Sequence, residues 1–79
     1  MAQTPEGKVK DKVKKLLTAY DVYWHMPVQN GMGSPSLDFT CCYYGYYFAI
    51  ETKAPGKAMT PRQELTAASI HRVGGRVFV

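Results

Sequence analysis

The chain lacks an apolar run long enough to cross a bilayer, and no secretory signal precedes its first amphipathic segment. A cytoplasmic protein without a membrane partner is the expectation. Cysteine is scarce: Cys41 and Cys42 are the whole supply, and they are adjacent. Neighbours on a strand face opposite ways, so a bridge between them is not expected. Together with His25 and His71 they match no zinc-ligand spacing, which leaves buried reduced thiols as the expected state. No Ser/His/Asp or Cys/His arrangement points to a covalent nucleophile. No repeat or low-complexity segment is present. Acids are also in short supply, 6 Asp and Glu against 10 Lys and Arg. The resulting net charge of +4 and pI near 9.2 favour an anionic partner, nucleic acid being the usual one. At 79 residues the chain has room for a single small domain, residues 1–79, with a limited core. Its 46% hydrophobic content argues against disorder.

What is present is organised around Ser36 to Lys53, SLDFTCCYYGYYFAIETK. Two short strands flank a glycine turn. In the second, Phe48 and Ile50 share one face while Ala49, Glu51 and Lys53 share the other. In the first, Phe39 and Cys41 oppose Asp38, Thr40 and Cys42. If Tyr44-Gly45 forms a two-residue turn, Tyr43 pairs with Tyr46, and counting back sets Asp38 across from Glu51. Two carboxylates and a lysine then converge on one side of one hairpin. Two carboxylates about 4 Å apart repel by roughly 4 kcal/mol at an effective dielectric near 20. A divalent cation reverses that sign, and oxygen ligands suit Mg²⁺ or Mn²⁺. Lys53 adds an ammonium group suited to orienting a water or offsetting charge on a phosphate.

These residues carry a family likeness. Asp38 followed by Glu51-Thr52-Lys53 resembles the D…ExK signature of the PD-(D/E)XK nucleases. The surrounding words SPSLDF and FAIETKAPGKAMTPRQ resemble the stand-alone VRR-NUC branch, often phage-encoded, over Glu6 to Val79. ExKxPG followed by TPRQ at this spacing is far more specific than the three-residue signature. Leu37 stands where the "PD" pair has proline, and no Val-Arg-Arg triplet is present. The resemblance implies an α/β, restriction-endonuclease-like αβββαβ core, with further elements expected beyond Val79. It also implies a Mg²⁺-dependent deoxyribonuclease in a bacterial or phage-infected cell. Asp38 and Glu51 are the expected metal ligands, with the Thr52 carbonyl as another. Lys53 is the catalytic lysine, Gln63 stands beside it, and a first-helix glutamate, Glu6, completes the metal's outer shell.

The remaining residues fit that architecture. Thr4-Pro5-Glu6 opens a helix with N-cap, proline and acid in order. Val9, Val13, Leu16, Leu17 and Tyr20 form its apolar stripe. Glu6 projects onto that stripe, so it either complements the helix dipole or reaches the metal. Of the lysines at 8, 10, 12, 14 and 15, most read as a solvated face. Lys8, Lys12 and Lys15 share one side suited to phosphates, and Lys57 and Arg62 are further candidates. Val22 to Val28 reads as a strand ended by Pro27, with Trp24 in packing, and Gln29 to Ser36 as a loop. Thr60-Pro61-Arg62-Gln63 opens a second helix in capping-box form. Gln63 also lies on the stripe of Ala67, Ile70 and Val73 or Gly74, so capping and bordering the site are both open to it. Gly74-Gly75 ends the helix, and Arg76 to Val79 begins a strand parallel to the one before the helix. Helices on each side of a mixed sheet are expected.

The leading function is hydrolysis of DNA phosphodiesters, selective for branched DNA or Holliday junctions. A homodimer through Tyr43, Tyr44, Tyr46 and Tyr47 suits such substrates. The alternatives are a non-catalytic nucleic-acid-binding module of the same fold and an interaction protein that dimerises through its tyrosines.

Overall fold

The Thr4 hydroxyl accepts the Gly7 N–H at 3.0 Å, Pro5 fills the first turn, and helix α1 runs over Pro5–Ala19. These observations come from a computed structural model, which describes residues 4–28 and 36–79. Leu17 is buried, and Val13 and Val9 are half-buried one and two turns before it. Leu16 and Tyr20, expected on the same stripe, are exposed. They form the next ridge around the helix, and the sheet takes up only the Val9, Val13 and Leu17 ridge.

Four strands follow: β1 Tyr23–His25, β2 Phe39–Tyr43, β3 Tyr46–Ile50 and, after helix α2 Pro61–Arg72, β4 Arg76–Phe78. They lie in the order β1-β2-β3-β4, the first two pairings antiparallel and the last parallel. The chain is thus a small α/β fold with a four-stranded mixed sheet and two helices, in the expected element order. β1 is shorter than expected. Met26, Pro27 and Val28 leave the ladder, and proline has no N–H to contribute there.

Local chemistry sets the β2–β3 register. Tyr44 at φ 49° and Gly45 at φ 84° supply the paired left-handed conformations of a tight hairpin turn. Tyr43 therefore pairs with Tyr46, and the count runs back to Phe39 against Ile50. Helix α2 starts with a full capping box between Thr60 and Gln63. It ends with Gly74 at φ 95°, where Gly75 N–H reaches the Ile70 carbonyl and Gly74 N–H the His71 carbonyl, both at 3.0 Å. Val73, a candidate for the inward stripe, is exposed because the helix has already ended. At Gly75 a Cβ would fall 2.6 Å from the Ile70 side chain, so the chain needs glycine to start β4 this close to α2.

The core is small. Leu17 of α1 packs on Phe39 and Cys41, with Val13, Val22, Trp24, Met26, Phe48 and Ile50 around them. Trp24 meets Phe39 edge-on at 5.8 Å, which fits its expected packing role. The opposite face buries Ala49, and Ala67 of α2 is buried as well. No described helix is long and apolar enough to cross a membrane.

The expectation of two buried thiols holds for Cys41 alone; alternation leaves Cys42 exposed. Burial pushes the Cys41 thiol up to about 11. Because the thiolate is the reactive form, the native protein should titrate one fast thiol with a disulfide reagent, and two in guanidinium. Two fast thiols in the native protein would contradict this packing.

Candidate functional site

Carried one step beyond Phe39 and Ile50, the hairpin register sets Asp38 beside Glu51. The Asp38 N–H donates to Glu51 Oε1 at 3.2 Å. Glu51 is itself anchored to the sheet, its N–H donating to the Phe78 carbonyl at 2.9 Å. Thr52 holds Asp38 in return: its N–H and its hydroxyl both donate to Asp38 Oδ2, at 3.1 and 2.6 Å. Each acid is thus positioned by the strand that carries the other. Both are buried, Glu51 at 1% exposure and Asp38 at 9%.

Two buried acids side by side are stable only with counter-charge or donors. Glu51 Oε2 accepts from Gln63 Nε2 at 3.0 Å and meets the Lys53 ammonium at 3.5 Å. Asp38 Oδ1 meets the Lys10 ammonium at 3.7 Å. These contacts do not fully compensate Glu51. Its carboxyl is held above the usual glutamate range, first by burial and then by the Asp38 charge, against the opposing pull of Lys53 and the Asp38 N–H.

Glu6 brings in the third acid. Its carboxylate and those of Asp38 and Glu51 offer oxygens that all lie within 4.8 Å of one another. It stands in the acid group and also in the first turn of α1, where an acid complements the helix dipole. An all-oxygen donor set of three carboxylates fits a hard divalent cation such as Mg²⁺ or Mn²⁺ and does not suit zinc held by sulfur and nitrogen.

Asp38, Glu51, Lys53, Gln63 and Glu6 therefore come together as the sequence reading expected. Gln63 does both things open to it. Its Oε1 accepts the Thr60 N–H at 2.9 Å to close the cap, and its amide NH₂ holds Glu51. It holds the acid, however, and not Lys53. Thr52 has a role that the sequence did not suggest, fixing Asp38 through both its N–H and its hydroxyl. Lys57 is exposed on a cleft of about 490 Å³ that Glu6 and Lys53 also line, at the start of α1. Lys8, Lys12, Lys15 and Arg62 are exposed and outside the acid group. The loop expected over Gln29 to Ser36 lies, apart from Ser36, outside the described residues.

Lys10 is the site residue that the sequence reading missed. In the sequence it belongs with the solvated lysines, yet its ammonium reaches Asp38. The signal was its position four residues after Glu6, one helical turn along the same face.

No family model matches this chain, and neither the curated proteins nor the solved structures provide a match.

Proposed function

We propose that this chain is a divalent-cation-dependent endonuclease of the PD-(D/E)XK superfamily and its VRR-NUC branch, with a restriction-endonuclease-like core. Its substrate is DNA, with branched forms such as Holliday junctions preferred. The single observation that supports this reading most is the approach of the Glu6, Asp38 and Glu51 oxygens to within 4.8 Å, with Lys53 at 3.5 Å from Glu51.

In this reading Glu6, Asp38 and Glu51 hold Mg²⁺ or Mn²⁺, with the Thr52 carbonyl as a further donor. A cation held there would make a bound water more acidic and would offset charge on the scissile phosphate. The chain's own groups do the rest. Thr52 and the Asp38 N–H keep the two strand acids in place before substrate arrives. Gln63, locked by its cap to Thr60, keeps Glu51 from turning away. Lys53 is mostly buried, its side chain 16% exposed, and so presents an ammonium of fixed position to the attacking water and the phosphate. Lys57 on the adjoining cleft, and Lys8, Lys12, Lys15 and Arg62 on the exposed surface, bind backbone phosphates with an affinity that falls as salt rises.

A homodimer belongs to the same proposal. Tyr43, Tyr44, Tyr46 and Tyr47 are all exposed around the hairpin tip, an aromatic surface of the kind found in interfaces. A two-fold pair presents two sites to a symmetric junction. A cytoplasmic setting, in a bacterium or a phage-infected cell, goes with this role.

The test is a panel of four-way junction, flap and linear duplex DNAs incubated with Mg²⁺, with Mn²⁺ or with chelator. The expected result is cation-dependent cleavage, fastest on the junction and absent with chelator. No cleavage of any substrate with either cation would overturn the proposal.

A further inference from the structure

Lys10 is an odd occupant of an acid group. The three carboxylates are flanked by two ammonium groups, Lys53 on Glu51 and Lys10 on Asp38, which leaves a formal net charge of minus one. A divalent cation added with both lysines in place turns that into plus one. If one lysine leaves, the charges cancel. The two are not equally held. Lys53 sits at 3.5 Å with 16% side-chain exposure; Lys10 sits at 3.7 Å with 31%. Lys10 is the more loosely seated and closer to solvent, so its release requires less desolvated contact to be broken.

We infer that Lys10 is a displaceable internal counter-ion: it neutralises Asp38 in the cation-free protein, is released when a divalent cation takes Asp38, and is then free to meet the anionic substrate. This rests on the cation site proposed above. The geometry supports all three parts. Lys10 touches Asp38 Oδ1, while Asp38 Oδ2 is engaged by Thr52, so an incoming cation competes with the ammonium for the remaining oxygen. The flexible four-carbon stem lets the ammonium swing away without moving α1. Its Cα lies four residues, about 6 Å, along the helix from Glu6. Glu6 in turn lines the cleft shared with Lys53 and Lys57, so a released Lys10 remains near the phosphate path. Lys10 acts here as a positioning residue for the acids before the cation binds, and it makes the site selective for an ion whose charge can outcompete an ammonium.

Calorimetric titration with Mn²⁺ of the parent, Lys10→Met and Lys10→Arg tests this. Lys10→Met should bind Mn²⁺ about five- to tenfold more tightly, the fold-change of a modest coupling between two ligands of one group. It should also melt at lower temperature without cation, and cleave more slowly at saturating Mg²⁺. Lys10→Arg, which keeps the charge, should stay near the parent in cation affinity. A side chain with only a packing role would lower stability and leave cation affinity unchanged or weakened, and that result overturns the inference. Should Lys10→Met fail to fold, the parent decides. With ¹³Cε-labelled lysine, the Lys10 signal should move towards those of exposed Lys8 and Lys12 as Mg²⁺ is added. No movement at saturating Mg²⁺ refutes displacement. Parent protein that binds no Mn²⁺ refutes the cation site itself, whereas parent binding with an unaltered Lys10→Met refutes only the counter-ion role.

Discussion

Lys53→Ala should slow cation-dependent DNA cleavage by about a hundred- to a thousandfold, the usual effect of removing one preorganised donor aimed at developing charge. The size follows from where the ammonium is kept. Lys53 is held against Glu51 in a largely buried position, so it is already oriented before the reaction and little solvent reorganises around it. Its removal should not weaken cation binding, since the proposed donor oxygens belong to Glu6, Asp38 and Glu51 and not to the lysine. The two readouts therefore separate: cleavage falls steeply and Mn²⁺ affinity does not. A variant that cleaves as fast as the parent would show that the lysine only balances the Glu51 charge.

Adding Mg²⁺ or Mn²⁺ should raise the melting temperature, and Asp38→Asn should abolish the rise. A ligand present at 100 times its Kd stabilises the native state by about 2.7 kcal/mol. For a chain of this size each kcal/mol moves the midpoint by roughly 4–8 °C, so an upward shift of about 10–20 °C is expected. The effect should depend on pH, and the sign follows from Glu51. In the folded protein its carboxyl keeps its proton above the ordinary value of 4.5. Without cation, its contribution to stability is fully present below 4.5 and is lost as pH rises through the folded value. A cation binds the ionised form and removes that penalty, so the thermal gain should grow as pH rises from 4.5 through the folded Glu51 value. A gain that does not change as pH rises from 4.5 to neutrality would mean that Glu51 is not a ligand.

The parts of the molecule that were legible in the sequence are those decided by local chemistry. Tyr44-Gly45 fixes the hairpin count, and the count alone brings Asp38 to Glu51. Thr60 with Gln63 fixes where α2 begins, Gly74 where it ends, and the helix length then returns the chain to a parallel edge strand. The parts that were not legible depend on how elements lie against one another. Leu16 and Tyr20 have the right spacing for a core stripe, but only the roll of α1 on the sheet decides which ridge is covered. The same roll turns Lys10 towards Asp38 while Lys8 and Lys12 face solvent; the i,i+4 spacing from Glu6 puts Lys10 on the Glu6 face, and only the packing of α1 brings that face to Asp38. The family resemblance points only to the Thr52 carbonyl; its grip on Asp38 depends on a backbone N–H and a hydroxyl meeting the same oxygen, which no spacing rule foretells. Cys42 is exposed for a related reason: alternation gives its face, and tertiary cover decides whether that face is buried.

Paramagnetic relaxation by Mn²⁺, read from the backbone amide signals of ¹⁵N-labelled protein, tests the cation centre most directly. At substoichiometric Mn²⁺ the signals of Glu6, Asp38, Glu51 and Thr52 should broaden first, with Lys53 and Gln63 next and the Tyr44 turn unaffected. Broadening centred elsewhere, or none at all, would show that these three acids hold no ion, and the proposed hydrolytic role would go with it.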